Sequence, residues 1–121
     1  MNTPSFRIYH NPRCSKSRAA CELLAEQGIS AEIVDYLKNP PSVDELRRLL
    51  GQLGMKPAEL VRQGETVFKE LYAGRALSDE EWLQALAAHP ILIERPMIVC
   101  GEKAVIGRPI EKLIGWLESL K

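Results

Sequence analysis

No apolar stretch in this 121-residue chain comes near the roughly 20 residues that a bilayer-spanning helix needs. The first residues also lack the apolar core of a signal peptide. The chain therefore reads as a cytoplasmic protein. It has no net charge, because sixteen Lys and Arg balance sixteen Asp and Glu, which speaks against a strongly basic nucleic-acid binder. Histidine is scarce, and the three cysteines form neither a CxxC pair nor a repeated ligand spacing, so no protein-held metal is expected. An odd number of cysteines in a reducing compartment points to free thiols. Cys14 and Cys21 cannot pair if both lie on one helix. At about 1.5 Å rise per residue they stand roughly 10 Å apart along the axis, and a disulfide needs Cα atoms within about 7 Å.

What is present is enough for one compact domain with a core: 45% of residues are hydrophobic and 26% charged. Phe6–Tyr9 reads as a strand that Asn11-Pro12 ends. From Ser15 to Gln27 the apolar spacing becomes helical, through Ala20, Leu23 and Leu24, and Gly28 supplies the stop. Ala31–Tyr36 is a second strand, so the first 36 residues predict a βαβ unit with parallel strands. Pro40-Pro41 then opens a helical block over residues 41–89. It contains two capping-box patterns, at Ser42–Glu45 and Ser78–Glu81, a short helix ending near Arg62, and a helical piece over Thr66–Ala73. His89-Pro90 closes the block, with His89 as a cap. The chain returns to β at Ile91–Ile93, resumes at Met97–Cys100, and turns through Gly101–Lys103 into Ala104–Ile106. Pro109 opens a last helix that buries Leu113, Ile114, Leu117 and Leu120. The order predicts an α/β fold: a mixed β-sheet flanked by helices, with a helical insertion at 41–89, in a single domain spanning 1–121.

Charge balance over the whole chain hides a local excess. Arg7, Arg13, Lys16 and Arg18 all precede the first acid, Glu22, so the first 21 residues carry +4. Cys14 lies inside that cluster, in the stretch YHNPRCSKSR. It is also where a strand ends and a helix begins, and a helix start presents free N–H groups and the positive end of the dipole. Such places bind anions and favour thiolate over thiol. Cys14 is accordingly the candidate nucleophile, with a lowered pKa, while Cys21 and Cys100 read as core residues. Ser15 and Ser17 could add hydroxyl donors. His10 either exchanges a proton with the thiol or is simply a polar strand end. A phosphatase loop would want an arginine at position 20, where Ala20 stands, and a dithiol redox site would want a cysteine at position 17, where Ser17 stands. A resolving thiol must then come from elsewhere, a small thiol or a partner protein.

Arg62, Arg95 and Arg108 each fall at the end of an element between apolar residues. Arginine offers a planar, permanently charged fork matched to tetrahedral oxyanions. Spacing leaves open whether the three converge or merely make local surface ion pairs.

Taken together, YHNPRCSKSR, LVRQGE, HPILIERPMIV and GRPIEKL resemble the glutaredoxin-coupled arsenate reductases of the ArsC family, in order and spacing over nearly the whole chain. The resemblance implies a thioredoxin-like fold with a helical insertion and a cis peptide bond at Arg95-Pro96. It implies that Cys14 is the nucleophile, that His10 assists it with Ser17 as a nearby hydroxyl, and that Arg62, Arg95 and Arg108 bind the oxyanion. Asn11 is counted with these arginines as a substrate-binding residue. The implied reaction begins with attack of Cys14 on arsenate, or a similar oxyanion. Glutathione, a co-substrate, then adds to and reduces the arsenic, glutaredoxin removes the glutathione as a mixed disulfide, and arsenite leaves. The expected protein is a monomer with no tightly bound cofactor, no metal, and no nucleic-acid or membrane partner. Two related branches give the alternatives: a glutathione-dependent thiol-disulfide reductase, and a non-catalytic regulator of the Spx type that binds RNA polymerase.

Overall fold

The computed structural model of the protein describes residues 5–120. In chain order the elements are β1 (Phe6–His10), α1 (Ser15–Glu26), β2 (Ala31–Asp35), α2 (Val43–Leu53), α3 (Thr66–Leu71), α4 (Asp79–Ala88), β3 (Met97–Cys100), β4 (Lys103–Ile106) and α5 (Ile110–Ser119). Two 3-10 turns, Pro57–Leu60 and Pro90–Leu92, join them. The four strands form one mixed sheet in the order β2-β1-β3-β4. β1 and β2 run parallel, and the other neighbours are antiparallel. Among the described residues no helix is long and apolar enough to cross a membrane.

The chain divides into two compact units. One holds the chain up to Tyr36 and again from Arg95 onward, and the other is Leu37–Glu94. In the first, alternation along the strands sends paired Ile8 and Ile98 to one face of the sheet. There they meet Ala20 and Leu24 of α1 and Leu113 and Leu117 of α5, all six buried. Both helices therefore cover the same face. α1 ends as the glycine at position 28 predicts: Gly28 takes φ +73°, and the N–H of Ile29 returns to the carbonyl of Leu24. α5 buries Leu113 and Leu117, but Ile114 is 41% exposed. One position further round a helix is about 100° of rotation, which carries Ile114 off the buried stripe.

The second unit is helical, as the sequence predicts, and α4 packs on α2 and on both 3-10 turns. Ser42 caps α2 by accepting from the N–H of Glu45. Ser78 and Glu81 close a full capping box on α4. Two local expectations are corrected here. The piece ending near Arg62 is a 3-10 turn that stops at Leu60, because Val61 turns extended to bridge Ile93. Ile91–Ile93 is not a strand. Pro90 sits at the first position of a 3-10 turn through Leu92, where its missing N–H costs nothing, and only Ile93 pairs, through that one bridge.

Candidate active site

Strand register decides which loops meet. His10 stands opposite Asp35, Tyr9 opposite Met97, and Met97 opposite Ile106. The ends of β1, β2 and β4 and the start of β3 therefore share one end of the sheet. Four segments leave the sheet there: Asn11–Cys14, Tyr36, Arg95-Pro96 and Gly107-Arg108. Two X–Pro bonds at this end, Arg95-Pro96 and Arg108-Pro109, are cis. The first was implied by the family resemblance.

The loop after β1 is a tight turn. The N–H of Cys14 donates to the carbonyl of Asn11, and the N–H of Arg13 donates to Asn11 Oδ1. Asn11 is buried, and its side-chain oxygen is committed to the turn. The turn delivers Cys14 to the N-cap of α1, with extended φ and ψ, as the sequence predicts. Its half-buried thiol closes no capping bond of regular geometry, yet the groups around it still act on the sulfur. Burial pushes the thiol pKa up, but the N–H of Ser17, the Arg95 guanidinium and the N–H of Lys16 outweigh it, and the net direction is down. Cys21 and Cys100 go the other way, both raised by burial. Cys14 is thus the thiol the fold activates. The neighbouring basic residues Arg13, Lys16 and Arg18 are exposed, and the cation acting on the sulfur is Arg95, one of the three arginines that the resemblance assigns to the site.

His10 Nδ1 lies 2.8 Å from Ser17 Oγ and 3.6 Å from Cys21 Sγ. Ser17 is wholly buried and accepts from the N–H of Asn11. Its own hydrogen is then available to His10 Nδ1, an arrangement that leaves the ring proton on Nε2. Burial is the main influence on His10 and lowers its pKa, with Arg18 adding to the fall and Asp35 opposing it. The neutral ring is therefore favoured.

Arg95 is 8% exposed at the start of β3. Burial works against its charge, but contact with Cys14 and with Tyr36 more than restores it. Arg108, two residues beyond β4, leaves the same end of the sheet and is half-buried. Arg62 belongs to the other unit, where it is ion-paired with Glu65 and Glu94, each at 3.2 Å. Among the described residues no three of His, Cys, Asp and Glu gather closely enough to hold a metal ion. Two residues of this neighbourhood escaped the sequence reading. Cys21 gives no signal of its own beyond standing one helical turn after Ser17, the partner of His10. Tyr36 could have been found as the residue that ends the strand parallel to β1.

The ArsC family model matches residues 9–114. The chain belongs to the ArsC family. An arsenate reductase of Neisseria meningitidis serogroup B is 45% identical over 112 residues, covering 91% of this chain and 96% of its own. The uncharacterized protein YfgD of Escherichia coli K12 is 49% identical over 114 residues, covering 93% of this chain and 96% of its own. Among solved structures, an arsenate reductase from Vibrio cholerae superposes with a TM-score of 0.89 at 46% identity, covering 94% of this chain and 98% of that one. The mixed four-stranded sheet with flanking helices is the thioredoxin-like arrangement these ArsC structures share.

Proposed function

We propose that this ArsC protein reduces arsenate to arsenite, with Cys14 as nucleophile and with glutathione and glutaredoxin as the reductants. The observation that carries the reading is the Cys14 sulfur at the N-cap of α1, held towards thiolate by first-turn N–H groups and the Arg95 guanidinium. A thiolate and an arsenate anion repel each other unless a fixed cation neutralises the encounter, and a buried arginine does so without reorganising. Sulfur bonds to arsenic, and an arsenic-bound oxygen leaves as water. The glutathione thiol condenses on the adduct with loss of a second water. A glutaredoxin thiolate then attacks the glutathione sulfur. The sulfur–arsenic bond breaks, its electron pair stays on arsenic, and the mixed disulfide departs. Arsenic is reduced from the pentavalent to the trivalent state by two electrons, one from each thiol. Water finally frees arsenite from Cys14. His10, neutral with its proton on Nε2, and Ser17 serve the proton movements. Arg108 joins Arg95 in binding the oxyanion, and Arg62 is assigned to the same task on its motif alone. The work of Asn11 in this reading is to shape the turn that presents Cys14.

The test is NADPH oxidation coupled through glutathione reductase, with glutathione, glutaredoxin and arsenate. The expected result is arsenate-dependent turnover that Cys14→Ser abolishes, because a hydroxyl cannot carry the redox step. Cys21→Ser and Cys100→Ser are expected to retain it. A protein that leaves arsenate untouched but reduces a glutathione mixed disulfide would instead be the thiol-disulfide reductase.

A further inference from the structure

We propose that Arg13, Lys16 and Arg18 form an exposed cationic collar round Cys14 that selects a small, carboxylate-bearing thiol compound as its reaction partner. The inference rests on the reading of Cys14 as nucleophile and names the kind of molecule that the surface around it favours.

Of the four basic residues that precede the first acid, the fold neutralises one: Arg7 pairs with Glu32 at 3.1 Å. The other three are exposed, and their side chains make no hydrogen bond or ion pair with any described residue. All three stand within one helical turn of the thiol. Arg13 directly precedes Cys14. The N–H of Arg18 donates to the Cys14 carbonyl at 3.0 Å, so residue 18 lies one turn further on. Lys16 is between them, in the first turn of α1. Folding gains nothing from this arrangement. Like charges so close repel, and cations in the first turn of a helix oppose its dipole. That turn of α1 holds no acid to offset them. An anion that arrives at Cys14 accounts for the cluster. Each exposed cation contributes little to binding by itself, but three together raise the local concentration of an anionic reactant. That reactant must also bring sulfur, because Ser17 stands where a dithiol site has its second cysteine. Once its sulfur reaches Cys14, the rest of the molecule lies among these three side chains. Carboxylates are favoured there and amines are not. Glutathione, with two carboxylates and one ammonium group, has that chemistry.

Disulfide exchange tests the collar alone. The Cys14 thiolate attacks one sulfur of glutathione disulfide, the S–S bond breaks, a Cys14–glutathione disulfide forms and glutathione thiolate leaves. The uncharged 2-hydroxyethyl disulfide undergoes the same attack. The ratio of the two rates, followed by mass spectrometry of the Cys14 peptide, cancels any change in the thiolate fraction. At low ionic strength the triple variant Arg13→Gln, Lys16→Gln, Arg18→Gln is expected to lower this ratio about tenfold. Molar salt should erase most of the difference. Arg13→Lys with Arg18→Lys should keep the parent ratio, since charge and not shape is used. Should the triple variant fail to fold, the three single changes decide, each expected to lower the ratio about twofold. A ratio unmoved by these changes, or unmoved by salt in the parent, overturns the proposal. So does an unmoved ratio with a raised apparent KM for glutaredoxin, which would give the collar to a protein partner. A Cys14 inert to both disulfides refutes the nucleophile reading and the collar with it. Arsenate enters none of these measurements, so a failure to reduce arsenate leaves the ratio free to decide.

Discussion

Three cysteines on one chain are pushed in two directions by their surroundings. Burial acts on all three against ionisation. At Cys21 an adjacent carboxylate, Glu22, adds to it, and at Cys100 Lys103 offsets part of it. At Cys14 alone do amides and a guanidinium reverse the sign. The thiolate is the reactive form, so alkylation of the native protein across pH, read by mass spectrometry, should label Cys14 first. Its midpoint should lie below the ordinary thiol value of about 8.5, with Cys21 and Cys100 reacting later and at higher pH. The same shift has a consequence for stability. A group whose pKa is depressed by folding adds stability above its unfolded pKa, and that contribution fades as pH falls through the folded value. Acidifying from alkaline pH should therefore weaken the Cys14→Ser protein less than the parent. Equal labelling of all three thiols at neutral pH would refute the activation of Cys14.

At the scale of elements, the site depends on how each strand hands over to the next segment. β1 stops at a turn whose N–H groups are taken up by Asn11, and α1 starts on Cys14. β4 hands over to α5 through Gly107, whose N–H donates to the Pro96 carbonyl. A Cβ built on Gly107 would lie 2.9 Å from Ile98 Cδ1 and 3.2 Å from Pro96 Cγ, so glycine is required there by close packing. Gly115 has the opposite setting: it lies on α5 with nothing within 4 Å of such a Cβ. Gly107→Ala should lower stability by about 1–3 kcal/mol through overpacking. Gly115→Ala should raise it by up to about 1 kcal/mol through helix propensity. Denaturant midpoints of the two variants check both signs, and a neutral Gly107→Ala would show that the Pro96 side of the turn yields easily.

At the scale of the whole molecule, the helical unit is inserted between β2 and β3, so two chain crossings tie it to the first unit. Unfolding Leu37–Glu94 alone would leave the first unit to close a long flexible loop at an entropic cost. Chains of this size mostly unfold in one step. The two tryptophans report the two units separately. Trp82 stacks on Phe68 with centroids 6.1 Å apart, and Trp116 meets Phe6 edge-on at 6.4 Å. Trp82→Phe and Trp116→Phe each leave one reporter. Their fluorescence transitions in urea should coincide with each other and with loss of helical circular dichroism. Two separated transitions would make the units independent domains.

Local chemistry was enough for much of this protein. The apolar periods, the Asn-Pro turn and the capping serines act within a few residues of themselves, so the sequence determined the parallel βαβ start, the helical block and the last helix. It also determined Cys14 as the residue where a strand gives way to a helix, and so the direction of its pKa. The failures have a common cause, which is that contact is not local. Ile91–Ile93 has strand composition, but pairing needs a neighbour in register, and only Val61 offers one bridge. The basic cluster beside Cys14 looked like its source of charge, yet rotation round α1 turns Arg18 and Lys16 to solvent. Sheet register instead brings Arg95, from the far end of the sequence, to the end of the sheet where Cys14 stands. Which thiol would be activated was written in the order of residues. Which cation would act on it was decided by the pairing of β1 with β3, because that register brings residues far apart in the sequence to one end of the sheet.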